Sequence, residues 1–142
     1  MLEKNRATLI IITLGILAFL IRFYLAFLPG FKADVDTWFA WALRLNDFSF
    51  NHFYSKGIFT DYTPGYLYIL YILGFLRNLL FLQDNVFYLL LKMPAIISEV
   101  IIGLFVYHQV KKYTSEKIAI LAFSTTAFNP IMSNLKHHGK TR

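Results

Sequence analysis

The sequence predicts an all-α membrane protein with two to three transmembrane helices and an outer loop that carries juxtamembrane interfacial helices. Three observations predict it. Hydrophobic residues make up 57% of the 142 positions and charged residues only 15%, against about 45–50% and about 25% in an ordinary soluble domain. Apolar runs near the length needed to cross a bilayer recur along the chain. Basic residues gather beside those runs, 14 cations against 8 anions, for a net charge of +6. This composition excludes a solvated globule and a disordered tail. With no cysteine present, a disulfide scaffold and a thiolate metal site are excluded as well.

The first element is a span over about residues 9–28. Leu9 to Leu28 is interrupted only by Thr13, Gly15 and Arg22, and about 20 residues at 1.5 Å each cross the roughly 30 Å hydrocarbon core. A cleavable signal peptide would have a shorter apolar core and a small-x-small cleavage site. This run ends instead in Leu28-Pro29-Gly30-Phe31, which favours a retained span. Lys4 and Arg6 before it place the N-terminus in the cytoplasm by the positive-inside rule. Arg22, toward the far end, is expected to snorkel to the interface.

An outer loop follows over residues 29–85. Its polar part, Pro29 to Pro64, contains Asp34, Asp36, Asp47 and Asp61. Asp36-Thr37 suits the cap of a helix over Trp38–Leu45, since the side-chain oxygen can accept from free backbone N–H groups. Trp38, Trp41, Ala42 and Leu45 share one face of that helix at i, i+3, i+4 and i+7, which reads as an anchor on lipid headgroups. Asp34 is left without a structural duty and is the better candidate for chemistry. In Asp61-Tyr62-Thr63-Pro64 the proline keeps Thr63 extended and suits the start of a helix that re-enters the membrane. By itself that motif reads first as a capped helix entry with interfacial tyrosines. Gly65 to Leu82 is apolar apart from Arg77 and Asn78. As a span it would force Lys111 and Lys112 outside. With Tyr66, Tyr68 and Tyr71 it reads better as a helix or helix pair in the outer interface.

The second span is expected over about residues 93–110, with Pro94 in its first turn and Lys111-Lys112 at its cytoplasmic end. Glu99 lies within it, either exposed at the interface or in polar contact with another helix. His108, near that basic end, reads as interfacial. Residues 118–132 form a partial third span, and 133–142 form a basic tail that would sit against anionic headgroups. The adjacent His137 and His138 in that tail read as solvated rather than as a metal site. The abrupt change of character after Met132 reads as a fragment or a frameshifted product. Glycine-rich phosphate loops, Gly-x-Ser-x-Gly and His-Glu-x-x-His are absent, and the cations are too few and too scattered for nucleic-acid binding.

The ordered set Asp34-Val35-Asp36-Thr37-Trp38-Phe39-Ala40-Trp41-Ala42, Phe53-Tyr54, Asp61-Tyr62-Thr63-Pro64-Gly65-Tyr66-Leu67, Lys92-Met93-Pro94 and Asn129-Pro130 carries a resemblance. From Ile10 to Pro130 the chain resembles the N-terminal part of membrane glycosyltransferases of the GT-C fold. Among these it is most similar to the mannosyltransferase-like proteins related to the GPI-anchor mannosyltransferases. The resemblance implies an integral protein of a prokaryotic plasma membrane. It implies transfer of a hexose, such as mannose, from a polyprenyl-phosphate-linked donor to an acceptor hydroxyl on the outer face. Carried over by residue, Asp34 becomes the general base, Asp36 completes an Asp-x-Asp pair, and Asp61 and Tyr62 fall at the substrate. Reduced water near the membrane and a second carboxylate would raise the pKa of such a base into a useful range. The leaving phosphate would draw on Lys32, Arg44, Lys56 or Arg77, although each by itself reads first as an ordinary interfacial or solvated charge. No metal ligand set is identified, although an Asp-x-Asp pair can hold a divalent metal. Relatives continue through many further spans, so these 142 residues are expected to be inactive alone. The alternative is a small non-catalytic membrane protein that assembles with a partner through its apolar segments.

Overall fold

The computed structural model describes residues 2–28, 32–54 and 64–128, with side chains except at 2–5 and 51. The described residues form helices α1 (Leu2–Ala26), α2 (Lys32–Phe48), α3 (Pro64–Leu79), α4 (Asp84–Lys111) and α5 (Glu116–Ala127), with a 3₁₀ turn at Phe50–His52. No strand occurs among them. The chain divides into two compact units, residues 1–28 with 95–142, and residues 29–94.

Among the described residues two helices, Arg6–Ala26 within α1 and the whole of α4, are long and apolar enough to cross a membrane. Only 22% and 17% of their most apolar stretches are buried within the protein. A core helix of a soluble globule would be covered on most sides. Here Leu9, Ile12, Ile16 and Leu20 on α1, and Ile97, Ile101 and Phe105 on α4, stand exposed. Thr13 of α1 bonds back to the Leu9 carbonyl of its own helix, and on α5 Ser124 does so to Ile120 and Thr126 to Ala122. Such pairing leaves few polar groups seeking water.

Helix α4 differs from expectation at its start. It begins at Asp84 rather than Met93, so Pro94 lies inside the helix and not in its first turn. A proline there removes one helical N–H and crowds the carbonyl four residues back. Tertiary packing offsets this, because Phe87 and Leu91 from the first turns of α4 are fully buried in the core of the 29–94 unit. The division between the two units falls at this proline.

In the other unit, α5 packs on α1. Ile11, Ala18, Tyr107, Ala119, Phe123 and Ala127 form the buried cluster. Small residues admit the Phe123 ring. A Cβ added at Gly103 would meet that ring at 3.1 Å. Arg22 does not snorkel. It is 9% exposed and forms an ion pair through Nε with Glu99 of α4, itself 20% exposed. Arg22 Nη2 is buried without a hydrogen-bond partner among the described residues. Of the two readings of Glu99, the polar contact with another helix is the one observed. At the α4–α5 turn, Lys111 pairs with Glu116, and its Nζ also donates to the Tyr107 hydroxyl at 3.0 Å. The Lys111 ammonium holds the Glu116 carboxyl below its ordinary range. The partial third span is, among the described residues, the 12-residue α5, about 18 Å long.

The 29–94 unit is built on α2 against α3. The face Trp38, Trp41, Ala42 and Leu45 exists as the spacing implies, but it turns inward and not onto headgroups. Trp41, Ala42 and Leu45 are buried with Phe53, Leu67, Leu70 and Leu73, and Trp38 packs edge-on against Tyr66. Two amphipathic helices can cover one another more completely than a headgroup layer covers either. Gly74 sets the distance between them. A Cβ there would meet the Ala42 carbonyl oxygen at 2.6 Å and also the Asn46 side-chain nitrogen. Asn46 uses that nitrogen to donate to the carbonyls of Ala42, at 2.9 Å, and Tyr71, at 3.1 Å. Gly65 to Leu82 is thus one 16-residue helix and a turn, not a helix pair.

That turn ends α3 in an unusual way. Leu82 N–H donates to the Arg77 carbonyl at 3.0 Å, five residues back, while Phe81 adopts φ 50°. This is the Schellman arrangement, in which the left-handed residue is usually glycine. A bulky side chain held there costs on the order of 1–3 kcal/mol.

Candidate functional site

The two acids singled out by the sequence lie on α2, and the helix starts earlier than expected. Because it begins at Lys32 rather than Trp38, Asp36 is a residue of the helix and not its cap. Asp34 is the acid of the first turn, where it faces the positive end of the helix dipole and the free N–H groups. Its side chain is exposed and makes no ion pair or hydrogen bond among the described residues. Positions i and i+2 of a helix do not face one another. The Asp-x-Asp pair is therefore two acids on different sides of α2 and not a single two-carboxylate clamp. Among the described residues no group of three or more His, Cys, Asp or Glu side chains is gathered to hold a metal.

Asp36 is engaged on both oxygens. Lys32 Nζ donates to Oδ2 at 2.6 Å, and the Tyr88 hydroxyl of α4 donates to Oδ1 at 2.8 Å. The Lys32 bond, then the Tyr88 bond, hold the Asp36 carboxyl below its ordinary range, and Asp36 in turn raises the Lys32 ammonium. The direction is opposite to that needed by a carboxylate base, which must bind a proton readily near neutral pH. Asp36 ties α4 to α2 through the Tyr88 hydroxyl.

The contact continues through aromatic rings. Tyr88 stacks on Phe39 at 4.9 Å, and Phe39 meets Phe87 edge-on at 5.2 Å. The Arg77 guanidinium lies 5.5 Å from both phenylalanine rings and donates to Asp84 at 2.7 Å. Arg44 donates to the carbonyls of His52 and Phe53 and lies over Phe48. Lys32, Arg44 and Arg77, three of the four candidate phosphate partners, are thus committed within the chain. The fourth, Lys56, lies outside the described residues, as do Asp61, Tyr62, His137 and His138. Sequence reasoning missed Tyr88. Its partner is 52 positions away, and nothing near it in the chain signals the contact.

The Asp36 arrangement has a testable pH dependence. A depressed carboxyl contributes stability that is present above its unfolded-state pKa and is lost as pH falls through its lower folded-state value. Lys32→Met is expected to raise the Asp36 pKa toward the ordinary value, and Tyr88→Phe to raise it by less. Carboxyl carbon chemical shifts followed through an acid titration check both the direction and the order.

No protein-family model matches the chain, and no curated protein or solved structure is significantly similar to it.

Proposed function

We propose that the chain is part of an integral-membrane glycosyltransferase of the GT-C type, with Asp34 as the general base for transfer from a polyprenyl-phosphate-linked sugar. The observation that carries this reading is the contrast between two neighbouring acids, Asp36 bound on both oxygens and Asp34 exposed on the first turn of α2. The exposed apolar faces of α1 and α4 support the membrane setting. In the reaction, Asp34 takes the proton of an acceptor hydroxyl as its oxygen attacks the anomeric carbon. The lipid phosphate leaves with the bonding electrons, and the configuration at that carbon inverts.

A second reading, a non-catalytic membrane protein that assembles with a partner, has one observation in its favour. Lys32, Arg44 and Arg77 already have partners in the chain, which leaves a departing phosphate to compete for them. One experiment separates the two. Membranes containing the chain as part of the longer protein that the resemblance implies are supplied with radiolabelled polyprenyl-phosphate-mannose, and label in endogenous acceptors is counted. Asp34→Asn is expected to lower transfer by about 100-fold or more, the usual contribution of a general base. Helix content should stay unchanged. Transfer at the wild-type rate in that variant removes Asp34 as base. Label no higher than in membranes lacking the chain favours the second reading.

A further inference from the structure

The strained turn between α3 and α4 has no explanation among the described residues. Phe81 adopts φ 50°, where glycine is preferred, yet its side chain is 92% exposed. No buried contact offsets the conformational cost, because the ring touches almost nothing. Leu79 and Leu80 beside it are each more than half exposed, and Phe75 and Val86 are exposed as well. From Asn78 to Gln83 the chain carries no charge, and the ions that bracket this stretch, Arg77 and Asp84, neutralise each other.

We propose that Leu79, Leu80 and Phe81 form a wedge that inserts into the hydrocarbon of a lipid bilayer. This rests on the membrane reading above and adds a specific point of entry. The occupant is argued from shape, charge and continuity. A side chain this exposed protrudes, and a protein partner would need a matching cavity, whereas fluid acyl chains close around a projection of any form. The neutralised bracket removes the cost of bringing a net charge to the interface. Helix α4, apolar and long enough to cross a bilayer, begins three residues after Phe81, so the wedge stands at the mouth of that helix. At 92% exposure the Phe81 ring is left uncovered by its neighbours, and glycine at that position would supply no ring.

The chain lacks cysteine, so a single introduced thiol labels one site. Phe81→Cys, Asn85→Cys and Ile101→Cys are each modified with a nitroxide and reconstituted into phosphatidylcholine vesicles, with circular dichroism confirming helix content. Collisions with oxygen, which concentrates in hydrocarbon, are compared with collisions with a water-soluble nickel chelate. At 81 oxygen is expected to exceed nickel several-fold, and at 85 the order should reverse. Nickel access at 81 with Ile101→Cys in hydrocarbon overturns the wedge while the membrane reading stands. Nickel access at both 81 and 101 overturns the two together. Shielding of 81 from both reagents reveals a protein contact and also overturns the wedge.

Discussion

Gly74→Ala is expected to destabilise the 29–94 unit by about 3 kcal/mol or more, the upper part of the range for overpacking a close contact. In an isolated helix the same change would stabilise by about 1 kcal/mol, because alanine loses less conformational freedom than glycine. The contact decides the sign. The added methyl would lie 2.6 Å from the Ala42 carbonyl oxygen, and a backbone atom cannot rotate away as a side-chain tip can. Separating α2 from α3 would also break the Asn46 bond to Tyr71, worth about 1 kcal/mol. Gly65→Ala is the control, since nothing lies within 4 Å of a Cβ there. Thermal unfolding in detergent, with hydrogen exchange over 35–48 and 64–79, should show a large loss for Gly74→Ala and none for Gly65→Ala. Equal stability of the two variants would mean that α2 and α3 do not pack through Gly74.

Glu99→Leu is expected to cost about 3–5 kcal/mol, the usual result of leaving one member of a buried ion pair without its counter-charge. Arg22 is the more deeply buried partner and cannot shed its proton to escape the penalty. Arg22→Leu alone should cost less, because the partly exposed Glu99 can recover some solvation. The double variant Arg22→Leu/Glu99→Leu should regain most of the loss, since apolar replacement of a buried pair is often neutral or better. Melting temperatures of the four proteins give the coupling directly. Additive losses would show that the two side chains act independently.

Both sites bear on how far the sequence could be read. The apolar runs, their lengths and the charges beside them were legible, because crossing a hydrocarbon layer imposes a local demand on every residue in the run. For the same reason the shared face of Trp38, Trp41, Ala42 and Leu45 was visible in the spacing. Its destination was not. Periodicity shows that a face is apolar, and only the arrival of α3 shows that it is covered by Leu67, Leu70 and Leu73. The start of α4 was misplaced because proline is most at home in a first turn. Burial of Phe87 and Leu91 outweighed that preference.

For the candidate site, the residue types were readable and their partners were not. Asp34 and Asp36 are equivalent as letters two positions apart. Their difference arises because α2 begins at Lys32, which places a cation one turn before Asp36, and because α4 brings Tyr88 to the other carboxylate oxygen. By itself the sequence determined that the chain is helical, that it holds long apolar segments, and which acids lie between them. The tertiary structure alone decided which acid is held, which arginine is buried against which glutamate, and which turn is strained. Local propensity acts between neighbours in the chain, whereas ion pairs, hydrogen bonds and close contacts depend on distances that exist only once distant segments have met.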